Sequence, residues 1–194
     1  MYFKMKQFLM SLFILINFHI VLSQNNSFCF VYKMNEKIPL YNSSKDSFTS
    51  YFLYQDSLKE NYYSLQILDK IDDRFLVNVF EYNDLKCNGW IEKKYCCVWC
   101  WLMSSNNIYL FLEPNIYSSH IEIFEDDLMQ NQDGIVANII DFDKKSKWVK
   151  ILLTVKEKTY IGWTLNYCNN IYGSCEGERA TPPSHVYGFI KREK

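Results

Sequence analysis

The stretch Ile139-Ile140-Asp141-Phe142-Asp143-Lys144-Lys145-Ser146-Lys147-Trp148-Val149-Lys150-Ile151, followed by Tyr160-Ile161-Gly162-Trp163, decides the fold because most of it occurs twice. Ile67-Leu68-Asp69, the turn residues Asp72-Asp73, the run Leu76-Val77-Asn78-Val79 and the pair Gly89-Trp90 appear earlier in the same order. Ile67 lies on Ile139 at an offset of 72 (139 − 67), which also puts Leu76 to Val79 over Trp148 to Ile151 and leaves the Gly-Trp pairs one residue out of register. Asn78 and Lys150 sit between apolar neighbours with a period of two, the pattern of strands with one buried face.

Working outward, the copies span residues 38–95 and 108–167. Each parses as a first strand (38–41; 108–112), a long loop, and three strands joined by short turns (65–68, 76–80 and 88–92; 135–140, 148–155 and 160–164). Asp72-Asp73 and residues 143–146 supply turn chemistry. Asp141 and Asp143 lack the rest of a calcium loop, so they too read as turn residues. Units of about 60–70 residues with four or five short strands close into small barrels, which removes exposed sheet edges. The expected fold is therefore all-β, with two small tandem β-barrels.

The order of apolar strand, long loop, Ile-Ile-Asp, turn, Lys147-Trp148-Val149-Lys150-Ile151, hairpin and Tyr160-Ile161-Gly162-Trp163 resembles the bacterial SH3-like domain. The second copy matches more clearly and includes Tyr167-Cys168-Asn169-Asn170 and Cys175. The first carries Phe75-Leu76 where Lys147-Trp148 stands. The resemblance implies two SH3-like domains, 24–102 and 103–175, with a tail at 176–194. It also implies non-catalytic binding modules, often exported and directed at cell-wall peptides or glycans, or at other proteins.

Residues 1–23 have the zones of a secretory signal: Lys4 and Lys6, an apolar run from Phe8 to Ile20, then Val21-Leu22-Ser23. The run is short for a membrane span, and Asn17 and His19 interrupt it. The expectation is cleavage after Ser23, no stable membrane insertion afterwards, and a periplasmic, cell-surface or secreted protein. Cleavage removes two of the 21 basic residues and none of the 22 acids, for a net charge near −3. Nucleic acid is a poor partner for such a chain, because phosphate binding needs a concentrated positive face and a cluster such as Lys191-Arg192 with Lys194 is small.

All seven cysteines follow the signal, and export puts them where disulfides persist. Cys168 and Cys175 close a short polar loop that suits a bridge, and Cys100 pairs plausibly with Cys96 or Cys97, with connectivity open. The odd count leaves at least one thiol over, or joined to another chain. A zinc site at Cys97-x-x-Cys100 lacks a second pair with standard spacing, so no metal and no cofactor is expected. The chain has no Gly-x-Ser-x-Gly, phosphate loop or His-Glu-x-x-His, and Cys-Cys-Val-Trp-Cys reads as a disulfide region instead of a nucleophile site. No catalytic residue is assigned.

The long loops, about 42–64 and 113–134, are of a length that is usually functional or hides a hairpin. The candidate ligand residues are Tyr51, Phe52, Tyr54 and Tyr62 in the first, Tyr117 and Phe124 in the second, and Trp148 beside the later turn. The competing reading makes Phe48, Ser50, Phe52 and Tyr54 an extra hairpin packed on the barrel. Trp90 and Trp163 follow glycines that permit close backbone approach, which assigns them to the framework. The implied partner is a peptide, a cell-wall fragment or a protein. The alternative role is a structural or inhibitory partner of an envelope or secreted enzyme.

Overall fold

The computed structural model describes residues 27–101, 107–124, 128 and 134–169. The expected signal segment, Cys175 and the tail at 176–194 lie outside the described residues. The fold is all-β. In chain order the strands are β1 (Ser27–Val31), β2 (Lys37–Leu40), β3 (Tyr51–Tyr54), β4 (Tyr63–Ile71), β5 (Arg74–Glu81), β6 (Asp84–Glu92), β7 (Cys96–Trp101), β8 (Ile108–Phe111), β9 (His120–Ile123), β10 (Ile135–Phe142), β11 (Val149–Val155) and β12 (Lys158–Thr164).

Alternation builds the long hairpins. Leu65 and Ile67 of β4, Phe75, Val77 and Val79 of β5, and Ile139, Ile151 and Leu153 of β10 and β11 all point into one apolar core. Tight two-residue turns join β5 to β6 through Tyr82-Asn83 and β11 to β12 through Lys156-Glu157. All four residues have positive φ, the backbone twist that suits a two-residue hairpin.

Hydrogen bonding runs through one open ten-stranded sheet, β6-β5-β4-β1-β7-β10-β11-β12-β8-β9, with β2-β3 as a separate pair. Among the described residues the β2-β3 pair bridges to β6 at Tyr41–Trp90, and no sheet closes on itself. β7 explains this continuity. It pairs with β1 through Phe30–Cys97 and Val31–Cys96, and with β10 on its other side. Its far end lies before residue 102, yet it supplies the strand that begins the second half of the sheet.

The halves are related by an approximate two-fold axis. Cys29 of β1 faces Leu65 of β4, and Val98 of β7 faces Ala137 of β10, so β1 and β7 are equivalent strands. Continuing the β1–β7 register brings Cys29 opposite Val98, and the axis passes between them. Both halves then extend outward in the same order. Two ion pairs cross the joint, Lys70 with Asp141 and Lys144 Nζ with Asp69 Oδ1 at 2.6 Å; the two aspartates are equivalent positions, whereas the two lysines are not. Phe75 meets Phe142 edge-on beside them, with ring centroids 5.8 Å apart. These partly exposed ion pairs each contribute at most about 1 kcal/mol, so the buried rings and the β1–β7 hydrogen bonds dominate the joint.

Asp69 and Asp141 follow the same irregularity, a β-bulge between Ile67 and Asp69 and another between Ile139 and Asp141. The bulge turns the carboxylates toward the opposite half. The Lys144 ammonium, and then the Lys70 amide, hold the Asp69 carboxyl below the usual carboxylate range. A depressed acid contributes stability above its unfolded pKa and loses it as pH falls through the folded value. Asp69→Asn is accordingly expected to flatten, slightly, the acid limb of a stability-versus-pH curve measured by urea titration.

The structure corrects one detail of the repeat. From the bulge onward Lys70 pairs with Phe75, spanning residues 71–74, whereas Phe142 pairs with Val149, spanning 143–148. The second turn is two residues longer (6 − 4), so Phe75 corresponds to Val149. Trp148 therefore precedes β11 instead of lying on it.

Candidate functional site

The hairpin β2–β3 carries the most exposed aromatic surface of the described residues. Tyr51, Phe52 and Tyr54 are 54, 48 and 43% exposed, and Phe48 just before them is 87% exposed. Leu53 lies on the face opposite Phe52 and Tyr54 and is fully buried with its partner Ile38. The loop does form a hairpin, but its alternating aromatics face solvent while Leu53 does the packing.

Buried polar groups fix the hairpin. Gln55 Nε2 donates to the carbonyls of Val31 (2.8 Å) and Lys33 (3.0 Å), and its Oε1 accepts from the Tyr63 amide at 2.8 Å. Gln55 thus ties the end of β3 to β1 and β4. Asn61 Nδ2 donates to the Tyr54 carbonyl at 3.1 Å. At the other end, Arg74 lies over the Tyr41 ring, 3.8 Å from its centroid, and donates to the carbonyls of Ser44 (3.1 Å) and Asp46 (2.8 Å). Gln55 and Arg74 are positioning residues that the sequence reading missed, since a lone Gln in a polar loop and an Arg after a turn carry no pattern.

Among the described residues β2 is the only strand paired with β3, so β3 is an edge. Its equivalent in the second half is β9. The pairs Ile38–Leu53 and Leu40–Tyr51 match Ile108–Ile123 and Leu110–Ile121. This places Phe52 over Glu122 and Tyr54 over Phe124. The two edges differ chemically. Lys37 lies 5.8 Å from the Phe52 centroid, whereas Glu122 accepts from Asn107 Nδ2 (2.7 Å) and Tyr109 OH (3.0 Å). A carboxylate on an edge strand discourages pairing with another chain, and β3 has no such guard.

The remaining candidates separate. Tyr62 is half-buried just before β4, Phe124 is half-buried after β9, and Tyr117 is exposed between β8 and β9. Tyr117 and Phe124 flank β9 in the second half of the chain, whereas Tyr51, Phe52 and Tyr54 stand on β3 in the first. Trp148 is a correction. It is only 6% exposed and packs edge-on against Phe111 at 5.2 Å, and the His120 ring lies 5.4 Å from the same Phe111 ring. The longer turn drops it off the strand and into the core, so it lines no open surface.

The cysteines also rearrange. Cys96 and Cys100 are both free thiols on the single strand β7. Four residues of extended chain span about 13 Å, far beyond disulfide reach, so the bridge expected between them cannot form in this strand. Cys168 is disulfide-bonded, and its partner lies outside the described residues, as does Cys175. Burial pushes the thiol of Cys97 up to about 12 and that of Cys100 higher still, which disfavours the thiolate that a nucleophile needs. Among the described residues no group of three or more His, Cys, Asp or Glu is arranged to hold a metal ion.

No family model matches the chain, and no curated protein matches it. Among solved structures it is similar to NlpC2 from Trichomonas vaginalis, at 16% identity over 72% of this chain and 46% of that one, with a TM-score of 0.28. The chain thus spans less than half of that protein's length. A likeness this slight carries no argument about either fold or activity.

Proposed function

We propose that this protein is an exported, non-catalytic binding module of two SH3-like units, and that it recognises an extended segment of a peptide or protein along β3. One observation carries the reading. An uncharged edge strand presents Tyr51, Phe52 and Tyr54 to solvent, while its duplicate carries the carboxylate of Glu122 at the place of Phe52. Edge strands bind extended chains by adding main-chain hydrogen bonds, with side chains supplying selectivity, and aromatic rings contribute large contact area at small entropic cost. Gln55 and Arg74 hold the strand in place before anything binds, which lowers the cost of ordering it.

The test is a retention assay on envelope material, run beside a pull-down from secreted proteins, with the chain and a Phe52→Ala/Tyr54→Ala variant. The expected outcome is at least a tenfold loss of binding with a thermal midpoint within a degree or two of the parent, because exposed substitutions change stability by only about 0.5 kcal/mol. Unchanged binding in the variant would remove β3 as the site. Retention on purified wall glycan alone would move the ligand class from polypeptide to carbohydrate.

A further inference from the structure

The loop that leads from β2 to β3 carries a motif that the binding reading does not use. Asn42-Ser43-Ser44 has the form Asn-x-Ser with no proline in the middle, the acceptor pattern for an N-linked glycan in an exported chain. So short a pattern recurs by chance, and its surroundings decide. Asn42 is exposed in a bend outside the strand ladders, immediately after the Tyr41–Trp90 bridge. The bonds that shape the loop spare it. Ser43 donates its amide to Asp46 Oδ2 (2.9 Å) and accepts on its hydroxyl from the Lys45 amide (3.3 Å), while Arg74 donates to the carbonyls of Ser43, Ser44 and Asp46. Among the described residues neither the Asn42 carboxamide nor the Ser44 hydroxyl takes part in a hydrogen bond. Two other stretches share the pattern or its rarer cysteine form, Asn25-Asn26-Ser27 and Asn166-Tyr167-Cys168. Their third residues are committed elsewhere: Ser27 is buried in β1, and Cys168 is buried with its sulfur in a disulfide.

We propose that Asn42 is an N-glycosylation site, a reading that rests on the export proposed for this chain. The donor is a lipid-linked oligosaccharide diphosphate met in the secretory pathway. The Asn42 Nδ2 atom forms a bond to C1 of the first sugar, and the bond from C1 to the diphosphate oxygen breaks. The lipid diphosphate leaves with the electron pair, and the amide gives up one proton to a base of the transferase. No oxidation takes place. The Ser44 hydroxyl is the recognition group, which the transferase engages to place the amide at the donor. In the register Leu40–Tyr51 and Lys37–Tyr54, Asn42 follows the end of β2 that faces Tyr51, so the glycan is attached at the far end of the hairpin from Tyr54. Phe48, the most exposed aromatic of the same loop, gains a bulky hydrated neighbour that shields it from other chains.

The experiment expresses the full chain, with its own first 23 residues, in cultured insect cells and collects it from the medium. The protein is treated with a peptide N-glycanase in heavy-oxygen water, which leaves a labelled aspartate wherever a glycan was attached, and is then cut with trypsin. Cleavage after Lys37 and Lys45 isolates Asn42 in the peptide 38–45, apart from Asn25. The expected result is a labelled residue 42 in most copies and a faster-running band after glycanase. Asn42→Gln and Ser44→Ala should each abolish the label at 42, whereas Ser44→Thr, which keeps the hydroxyl, should retain it. Secreted protein with an unmodified residue 42 overturns the proposal, whatever Asn25 carries. A chain held inside the cells counts against export instead, and the same chain behind a foreign leader then decides the fate of Asn42 by the same label.

Discussion

Gly162→Val is expected to lower the thermal midpoint of this protein by about 10 °C or to prevent folding outright. A Cβ at Gly162 would stand 2.7 Å from Leu110 Cβ and 3.1 Å from both the Leu110 carbonyl carbon and the Phe111 oxygen. Two of those atoms are backbone and the third is fixed to it, so relief requires β12 and β8 to separate. Overpacking of this kind costs about 3 kcal/mol, or more where backbone must move, and a domain of this size loses a few degrees per kcal/mol. Gly89 offers a built-in comparison. Its nearest obstacle, at 2.7 Å, is Leu40 Cγ in a side chain that can turn away, although the Tyr41 oxygen stands at 3.0 Å. In matched alanine variants followed by thermal melting, Gly162→Ala should therefore fall further than Gly89→Ala. Equal losses would mean that the two crossings are not built alike.

Trp148→Ala is expected to cost about 3–5 kcal/mol, the usual range for deleting a large buried aromatic. The indole fills the space between β11 and Phe111, and its removal leaves a cavity beside His120. Urea denaturation should show the loss as a lower midpoint. The fraction that remains folded should bind a β3 ligand with unchanged affinity, since the substitution lies in the other half. A variant that kept its stability and lost binding would restore Trp148 to the ligand surface.

What the sequence made legible follows from the physics of each element. The hairpins β4–β5–β6 and β10–β11–β12 were readable because one face of each is buried, and burial imposes a period of two on the residues. Their all-β character followed directly. The bulges at Asp69 and Asp141 were hidden, since an extra residue in a strand leaves the composition unaltered. The same blindness misplaced Trp148, because two additional turn residues shift the register without disturbing the local pattern. β1 and β7 were missed for a different reason. Each is short, and Cys96–Trp101 is so rich in cysteine that it reads as a cross-linked terminus, whereas its thiols act mainly as small apolar groups in the core. The candidate aromatics divided along the same line. Tyr51, Phe52 and Tyr54 belong together because one edge strand carries them, while Tyr117 and Phe124 belong to its duplicate.

The strand β7 has a consequence for how the molecule comes apart. Melting the first half strips β7 of its β1 partner, and melting the second strips it of β10, so neither half can open without leaving the other with an orphaned ladder of amides and carbonyls. A sequence that doubled its unit by repetition has in this way given up the independence of the copies. It comes undone as one cooperative body, and a cut placed within β7 breaks a strand that both halves pair with.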